Sequence, residues 1–148
     1  RPAAMRACCS AFTALPADPD FSPAKPANLP MTAIEVGPDD GPVMVTVEYQ
    51  IDPAEAAGFA EVMQKTRRAR LRQGALSWGL FRDTAAPGRY IEYFVDESWV
   101  EHLRRLERFT AADAGLRDKR LAFHRGERPP EVRRFVAEGL HNPGPWRG

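Results

Sequence analysis

Three side chains in the middle of the sequence are of types that perform proton chemistry or enclose a ligand: Trp78, Tyr93 and His102. An imidazole acts as a base near neutral pH because its ordinary pKa lies there. Tyrosine offers a phenol and tryptophan a flat aromatic wall. Tyr93 and His102 are therefore the catalytic candidates. The alternative is that both aromatic residues fill the core and that His102 lies on the solvated side of a helix, beside Glu101 and Arg105.

A second group of candidates carries charge on predicted strands. Glu48, Glu92 and either Arg133 or Arg134 become cross-strand neighbours if the first strand lies between the third and the fourth. Two adjacent carboxylates would favour proton transfer, because repulsion raises one of their pKa values. An ion-pair network that stabilises a dimer or lines its interior explains the same residues. With Trp78 and Tyr93, the two glutamates form the predicted ligand pocket.

The densest run of charge places five cations within residues 65–72. Lys65, Arg68 and Arg72 share one face of the predicted first helix. They are either a solvated helix end, favourably placed at the negative pole of the helix dipole, or a contact with anionic lipid head groups or an acidic partner. Nucleic acid is not an expected partner, because the remaining charge is nearly balanced and no aromatic platform accompanies the run.

Composition excludes several classes of protein. The 148 residues carry 21 basic and 20 acidic side chains, which argues against a dedicated nucleic-acid binder. No apolar run is long enough to span a membrane. Two adjacent cysteines, Cys8 and Cys9, supply neither a disulfide framework nor a zinc site. No phosphate loop, nucleophile elbow or metal motif is visible, so we expect neither metal nor cofactor.

The elements that must position these residues follow from periodicity. Residues 43–51 alternate as a half-buried strand, and Asp52-Pro53 then begin a helix that ends at Gly74. Residues 75–82 and 89–95 form a hairpin around a short loop. Ser98 begins a second helix with Val100, Leu103 and Leu106 inward, which restarts at Thr110. Residues 131–138 form the last strand.

The order βαββαβ predicts an α+β, ferredoxin-like fold with a four-stranded antiparallel sheet and both helices on one face. The other sheet face is mixed in polarity and needs a cover. A second copy applied sheet to sheet would provide it, so we predict a homodimer with a barrel-like interior, and Phe81 on the uncovered face.

Prolines mark the domain boundary. Eight of the 14 prolines fall within the first 42 residues, which excludes long helices and central strands there. We interpret 1–41 as a proline-rich linker that follows the tail of a preceding membrane segment, 42–140 as the folded domain and 141–148 as a tail. The initial Arg1 is consistent with a piece of a longer protein.

Several strings of the sequence resemble one known family. They are GPVMVTVEYQIDPA at 41–54, RLRQGALSWGLFRD at 70–83, ESWVEHLR at 97–104, FHRG at 123–126, VRRFVAE at 132–138 and DFSP at 20–23. Together they are similar to the soluble C-terminal domain of bacterial major facilitator superfamily exporters of the transmembrane secretion effector type, which resemble enterobactin exporters.

The resemblance implies the dimeric α+β barrel fold of the antibiotic biosynthesis monooxygenases. It also implies a cytoplasmic, homodimeric accessory domain of an efflux transporter, at the inner face of the membrane beside the transporter's membrane-embedded portion. Such a domain would have no catalytic activity and would sense a small hydrophobic ligand. The alternative is a cofactor-independent monooxygenase acting on an aromatic or polyketide-like substrate. Haem-degrading relatives need an asparagine in the domain, and the only asparagines, Asn28 and Asn142, lie outside it.

Overall fold

The computed structural model describes residues 18–24 and 30–139. It confirms the predicted order of elements, with the second helical stretch divided into two helices. These elements are β1 (Val43–Gln50), α1 (Ala56–Arg72), β2 (Ser77–Arg82), β3 (Arg89–Asp96), α2 (Trp99–Glu107), α3 (Ala111–Leu121) and β4 (Glu131–Val136).

The four strands form one antiparallel sheet in the order β2-β3-β1-β4. β1 lies between β3 and β4, as the sequence predicts. Along β1, Val43, Val45, Val47 and Tyr49 are buried on the helix-covered face, and the residues between them face the other side. The predicted ferredoxin-like α+β fold, with one covered and one open sheet face, is confirmed.

The core between β1 and α1 is built around Phe59. This fully buried ring makes edge-to-face contacts with Tyr49, Tyr90 and Phe123 at centroid distances of 5.4, 5.3 and 5.9 Å. Such geometry suits aromatic quadrupoles and fixes α1 on the sheet. Met63 completes this core one helical turn further on.

Local caps explain where the helices begin. Asp52 accepts the N–H of Ala54 at the start of a short 3-10 turn that leads into α1. Ser98 caps α2, and Thr110 and Asp113 form a reciprocal capping box on α3. These bonds satisfy amides that a helix leaves without partners at its first turn.

The proline-rich segment before β1 provides further partners for the helix starts. The carbonyl of Asp40 accepts the N–H of Trp99 at 2.7 Å, at the start of α2. Residues 18–24 lie against the start of α3, where the carbonyls of Ser22 and Asp20 accept the N–H groups of Ala111 and Ala112 at 2.9 and 2.8 Å. Residues 18–24 and Asp40 therefore contact the starts of α3 and α2.

The prediction for the inward face of α2 is incomplete, because Leu106 lines the space between the helices and the sheet but the most buried residues are polar. Its buried residues are His102 and Arg105, whereas Val100, Leu103 and Leu106 are only half-buried. The reason is Asp96 on the helix-facing side of β3, which is a buried partner for both polar side chains. Within residues 18–24 and 30–139, no helix is long and apolar enough to cross a membrane.

Candidate functional site

A cavity of about 330 Å³ lies between the sheet and the helices. Its sheet side presents apolar surface from Val45, Val47 and Phe94, and Leu106 and Phe109 add apolar surface from α2 and the residues after it. Five arginines also line the cavity: Arg70, Arg105, Arg117, Arg120 and Arg134. We call this space the helix-side cavity. Its lining combines an apolar body with cationic groups.

One buried carboxylate beside the cavity is Glu92, on β3. Its oxygens accept hydrogen bonds from the Tyr49 hydroxyl, the Trp78 indole N–H and Nε of Arg70, each at 3.0 Å. Burial raises the pKa of Glu92, but Arg70 and the other donors outweigh burial and hold that pKa below its usual range. Burial and the adjacent carboxylate raise the pKa of Tyr49. Glu92 is thus an anion with its lone pairs already engaged.

The second buried carboxylate is Asp96, two residues beyond Phe94 on the same face of β3. It accepts bonds from Nδ1 of His102 at 2.8 Å and from Nε of Arg105 at 2.9 Å. Burial raises its pKa, but the bonds from His102 and Arg105 lower it further than burial raises it. The guanidinium groups of Arg70 and Arg105 both lie over the Phe94 ring, at 4.4 and 4.3 Å from its centroid.

The hydrogen-bond partners of His102 define its tautomer. Nδ1 faces the Asp96 carboxylate and must donate, while Nε2 accepts the Nε–H of Arg134 at 3.0 Å. The ring is fully buried and neutral in this arrangement, with both nitrogens engaged. The alternative position on a solvated helix side is wrong, and the imidazole instead joins Asp96 to Arg134.

Arg120 and Arg134 differ from the other cavity arginines. Neither forms an ion pair with a carboxylate of residues 18–24 or 30–139. Arg120 is 7% exposed and has a long bond of 3.4 Å from Nη1 to the Thr66 hydroxyl. Its buried Nε has no hydrogen-bond partner among the described residues. Burial lowers the pKa of both guanidinium groups.

The structure does not bring the four predicted pocket residues together. Trp78 and Glu92 lie on the helix-covered side of the sheet and touch each other. Glu48 and Tyr93 lie on the open face, because strand residues of the other parity point there. Because Glu48 and Glu92 lie on opposite faces, they do not form a carboxylate pair. Glu48 instead pairs with Arg89 at 2.7 Å.

Tyr93 is part of an aromatic surface on the open face. Its ring stacks on Phe81 at 5.7 Å and covers Gly79, where an added Cβ would lie 2.3 Å from the tyrosine ring. Met44, Phe81 and Phe135 on this face are 37%, 61% and 45% exposed. The structure therefore confirms Phe81 on the uncovered face. We call this surface the open sheet face.

The three predicted contact cations differ in their surroundings. Lys65 and Arg68 are exposed on α1. Arg72 instead pairs with Asp113 at 2.9 Å, and its guanidinium lies 5.1 Å from the ring of Phe21. Arg72 thus connects α1 to α3 and to the segment 18–24.

Sequence reasoning missed Asp96, Arg105, Arg120 and the site role of Arg70. The sequence carries a signal for two of these residues, Asp96 and Arg70. Glu92, Phe94 and Asp96 alternate with period two, which places both acids on one sheet face. Arg70 continues the buried stripe Phe59, Met63, Thr66 of α1 at helical spacing.

In residues 18–24 and 30–139, no cluster of three or more His, Cys, Asp or Glu side chains is arranged to hold a metal ion. Cys8, Cys9, Asn28 and Asn142 lie outside the described residues.

Solved structures share this fold. A cofactor-independent oxygenase, SnoaB from Streptomyces nogalater, has 20% sequence identity and a TM-score of 0.54, over 68% of this chain and 97% of that one. A Caulobacter crescentus protein assigned by name to the antibiotic biosynthesis monooxygenases has 19% identity and a TM-score of 0.56, over 68% and 92% of the two chains. Rv0793 from Mycobacterium tuberculosis has 14% identity and a TM-score of 0.54, over 69% and 100%. These similarities establish the fold alone.

No curated protein matches the sequence. The family model described as transmembrane secretion effector matches residues 4–141, which is nearly the whole chain. All the strings that suggested this family lie within that match, and so do all the described strands and helices. The chain therefore belongs to the transmembrane secretion effector family.

Proposed function

We propose that this chain forms an accessory domain of an efflux transporter of the major facilitator type. Two copies associate through their open sheet faces, and the helix-side cavity of each binds a small ligand without chemical conversion. The domain lies at the cytoplasmic side of the membrane, beside the membrane-embedded part of the transporter. The observation that carries the proposal is the contrast between the two faces of one sheet, one lining a cavity and the other apolar and uncovered.

The open sheet face supports self-association. A sheet face that meets only water is normally polar, whereas Met44, Phe81 and Phe135 are large, apolar and at least 37% exposed here. A two-fold axis through this face would apply the same patch of each copy to the other, which is the commonest form of homodimer. The hydrophobic effect then favours burial of these side chains.

The helix-side cavity supports ligand binding. Its volume of about 330 Å³ lies at the lower end of the range for small-molecule sites. The groups best suited to act as a base are already engaged, because Arg134 occupies Nε2 of His102 and arginines hold Glu92 and Asp96. This arrangement favours binding over proton abstraction.

The exposed cations of α1 provide a contact with the transporter. In this proposal Lys65 and Arg68 face anionic lipid head groups or acidic loops of the membrane part. A lysine or arginine near an anionic membrane surface contributes about 1 kcal/mol to attachment. Arg72 contributes less, because Asp113 already neutralises it.

A cofactor-independent monooxygenase is the second candidate, favoured by the fold shared with SnoaB. In that case Tyr93, on the open sheet face, or His102 would act on an electron-rich aromatic substrate. Two measurements separate the accessory role from the enzymatic one. The chain is titrated calorimetrically with haem, anthrones, quinols and siderophores, and oxygen uptake is then followed for each compound that binds. We expect binding without oxygen uptake above a protein-free control. Oxygen consumption that Tyr93→Phe or His102→Phe abolishes would replace the accessory role with the enzymatic one.

A further inference from the structure

We propose that the helix-side cavity selects an organic anion with an apolar body, and that Arg120 and Arg134 bind its charged group. This inference rests on the proposed function, because it specifies the ligand of the same cavity. It follows from a count of charges, from one unpaired buried nitrogen and from the hydrogen bond that orients Arg134.

The charges around the cavity do not balance. Glu92 compensates Arg70, and Asp96 compensates Arg105. His102 adds no charge in the tautomer that its partners require. Within residues 18–24 and 30–139, the one ion pair of Arg117 is a distant contact with Asp118 on its own helix, at 3.8 Å. Arg120 and Arg134 therefore leave an excess of positive charge that an anionic ligand would neutralise.

Arg120 supplies the strongest single observation. A guanidinium is rarely buried without an anion, because loss of hydration disfavours its charge. Yet Arg120 is 7% exposed, and its Nε donor has no hydrogen-bond partner in the part of the chain that the structure describes. Its neighbour Arg70 adds repulsion. A carboxylate or sulfonate in the cavity, which the Arg120 side chain lines, would neutralise this guanidinium and offset both costs.

Arg134 is oriented for the same task. It comes from β4 at the edge of the sheet and is half-buried, and its Nε–H is fixed by Nε2 of His102. His102 is in turn held by Asp96. Because Nε is used in this way, the terminal nitrogens of Arg134 remain to bind the ligand. His102 is therefore a positioning residue for Arg134.

The remaining lining defines the other half of the ligand. Val45, Val47, Phe94, Leu106 and Phe109 offer aliphatic and aromatic surface next to the arginines. Small inorganic anions would leave this surface wet. An acid on an aromatic or polycyclic body would cover it and pair its charge at the same time.

The test is calorimetric titration of the chain with three probes: 1-naphthoate, its methyl ester and acetate. Naphthoate has both halves of the expected ligand, the ester lacks the charge and acetate lacks the apolar body. We expect naphthoate to bind at least about tenfold more tightly than either of the others.

Variants then assign the charge to its residues. Arg134→Met and Arg120→Met should each weaken naphthoate binding by about tenfold or more and leave ester binding unchanged. His102→Phe should weaken naphthoate binding selectively, because it releases Arg134. Arg104→Met is the matched control, since Arg104 is an exposed arginine of α2 paired with Glu101 at the surface. Thermal unfolding of each variant verifies that it is folded.

The outcomes separate the two proposals. Equal binding of naphthoate and its ester, or naphthoate binding that survives both arginine substitutions, overturns the anion inference and leaves a ligand-binding cavity. Equal binding of acetate and naphthoate overturns the inference that the ligand has an apolar body. If none of the three probes binds, the anion inference is overturned. Ligand binding by the cavity is tested separately, by the titration with haem, anthrones, quinols and siderophores.

Discussion

Arg134 on β4 donates its Nε–H to Nε2 of His102 on α2 across 3.0 Å, so a buried neutral imidazole holds a cation at the edge of the sheet. The opposite ring nitrogen donates to Asp96 of β3. One chain of hydrogen bonds thus connects three elements and directs an arginine to the cavity. The site depends on long-range contacts as much as on local sequence.

Substitution of Glu92 with glutamine should lower the free energy of unfolding by about 3 kcal/mol, because it leaves Arg70 buried without an anion. Urea unfolding measures the change. Glu48→Gln is the matched control: Glu48 is also a strand glutamate paired with an arginine, but that pair is partly exposed, and the change should be less than about 1 kcal/mol. Equal effects of the two substitutions would contradict the importance of burial at Glu92.

Acid should destabilise the protein in a way that depends on Glu92 and Asp96. The pKa values of these two carboxyl groups in the folded state lie below the ordinary ones. Their contribution to the free energy of unfolding is therefore present above about pH 4 to 5 and is lost as the pH falls through the folded-state pKa values. Urea unfolding between pH 7 and 3 should show a loss of free energy of unfolding below about pH 5 that these two carboxylates cause. The decline should be shallower in Glu92→Gln. Stability that increases on acidification would contradict these directions.

Two glycines should respond oppositely to alanine. Gly88 has φ +81°, and an added Cβ would lie 2.1 Å from the Ile51 carbonyl oxygen, so Gly88→Ala should cost at least about 2 kcal/mol. Gly115 lies in α3 with open space around it, so Gly115→Ala should stabilise the protein by about 0.5 to 1 kcal/mol. Thermal unfolding distinguishes the two, and a stabilising Gly88→Ala would refute the tight turn.

Arg72 should control how firmly the segment 18–24 packs on α3. Its guanidinium contacts Phe21 of that segment and Asp113 of the capping box. Arg72→Ala should therefore accelerate hydrogen exchange at the amides of Ala111 and Ala112, whose partners are carbonyls of the segment. Arg68→Ala, at an exposed position on the same helix, is the control. Unchanged exchange in Arg72→Ala would show that the segment packs independently of Arg72.

The order of elements could be predicted because its signals are local. Alternation along β1 reports which residues face the helices. The caps at Ser98 and Thr110 directly precede α2 and α3, and Asp52 caps the 3-10 turn that leads into α1. The sheet order follows from the βαββαβ pattern. These features need no knowledge of distant contacts.

The candidate site was less predictable because its polar residues are buried by partners far away in sequence. Hydropathy assigns His102 and Arg105 to solvent, as it does for most charged residues. Asp96 reverses that assignment only once β3 and α2 are packed together. Likewise, Arg120 lies near Thr66, 54 residues away, and nothing in the local sequence indicates this contact.

Self-association through the open sheet face is tested most directly by the molar mass of the chain in solution, measured by light scattering after gel filtration. The open sheet face predicts a dimer for the wild type and a folded monomer for Phe81→Asp, because an exposed aromatic residue at the proposed contact becomes a carboxylate. Leu71→Asp, a similar change at a 37% exposed leucine of α1, should remain dimeric. A monomeric wild type, or a Phe81→Asp variant that is still dimeric, would contradict self-association through this face.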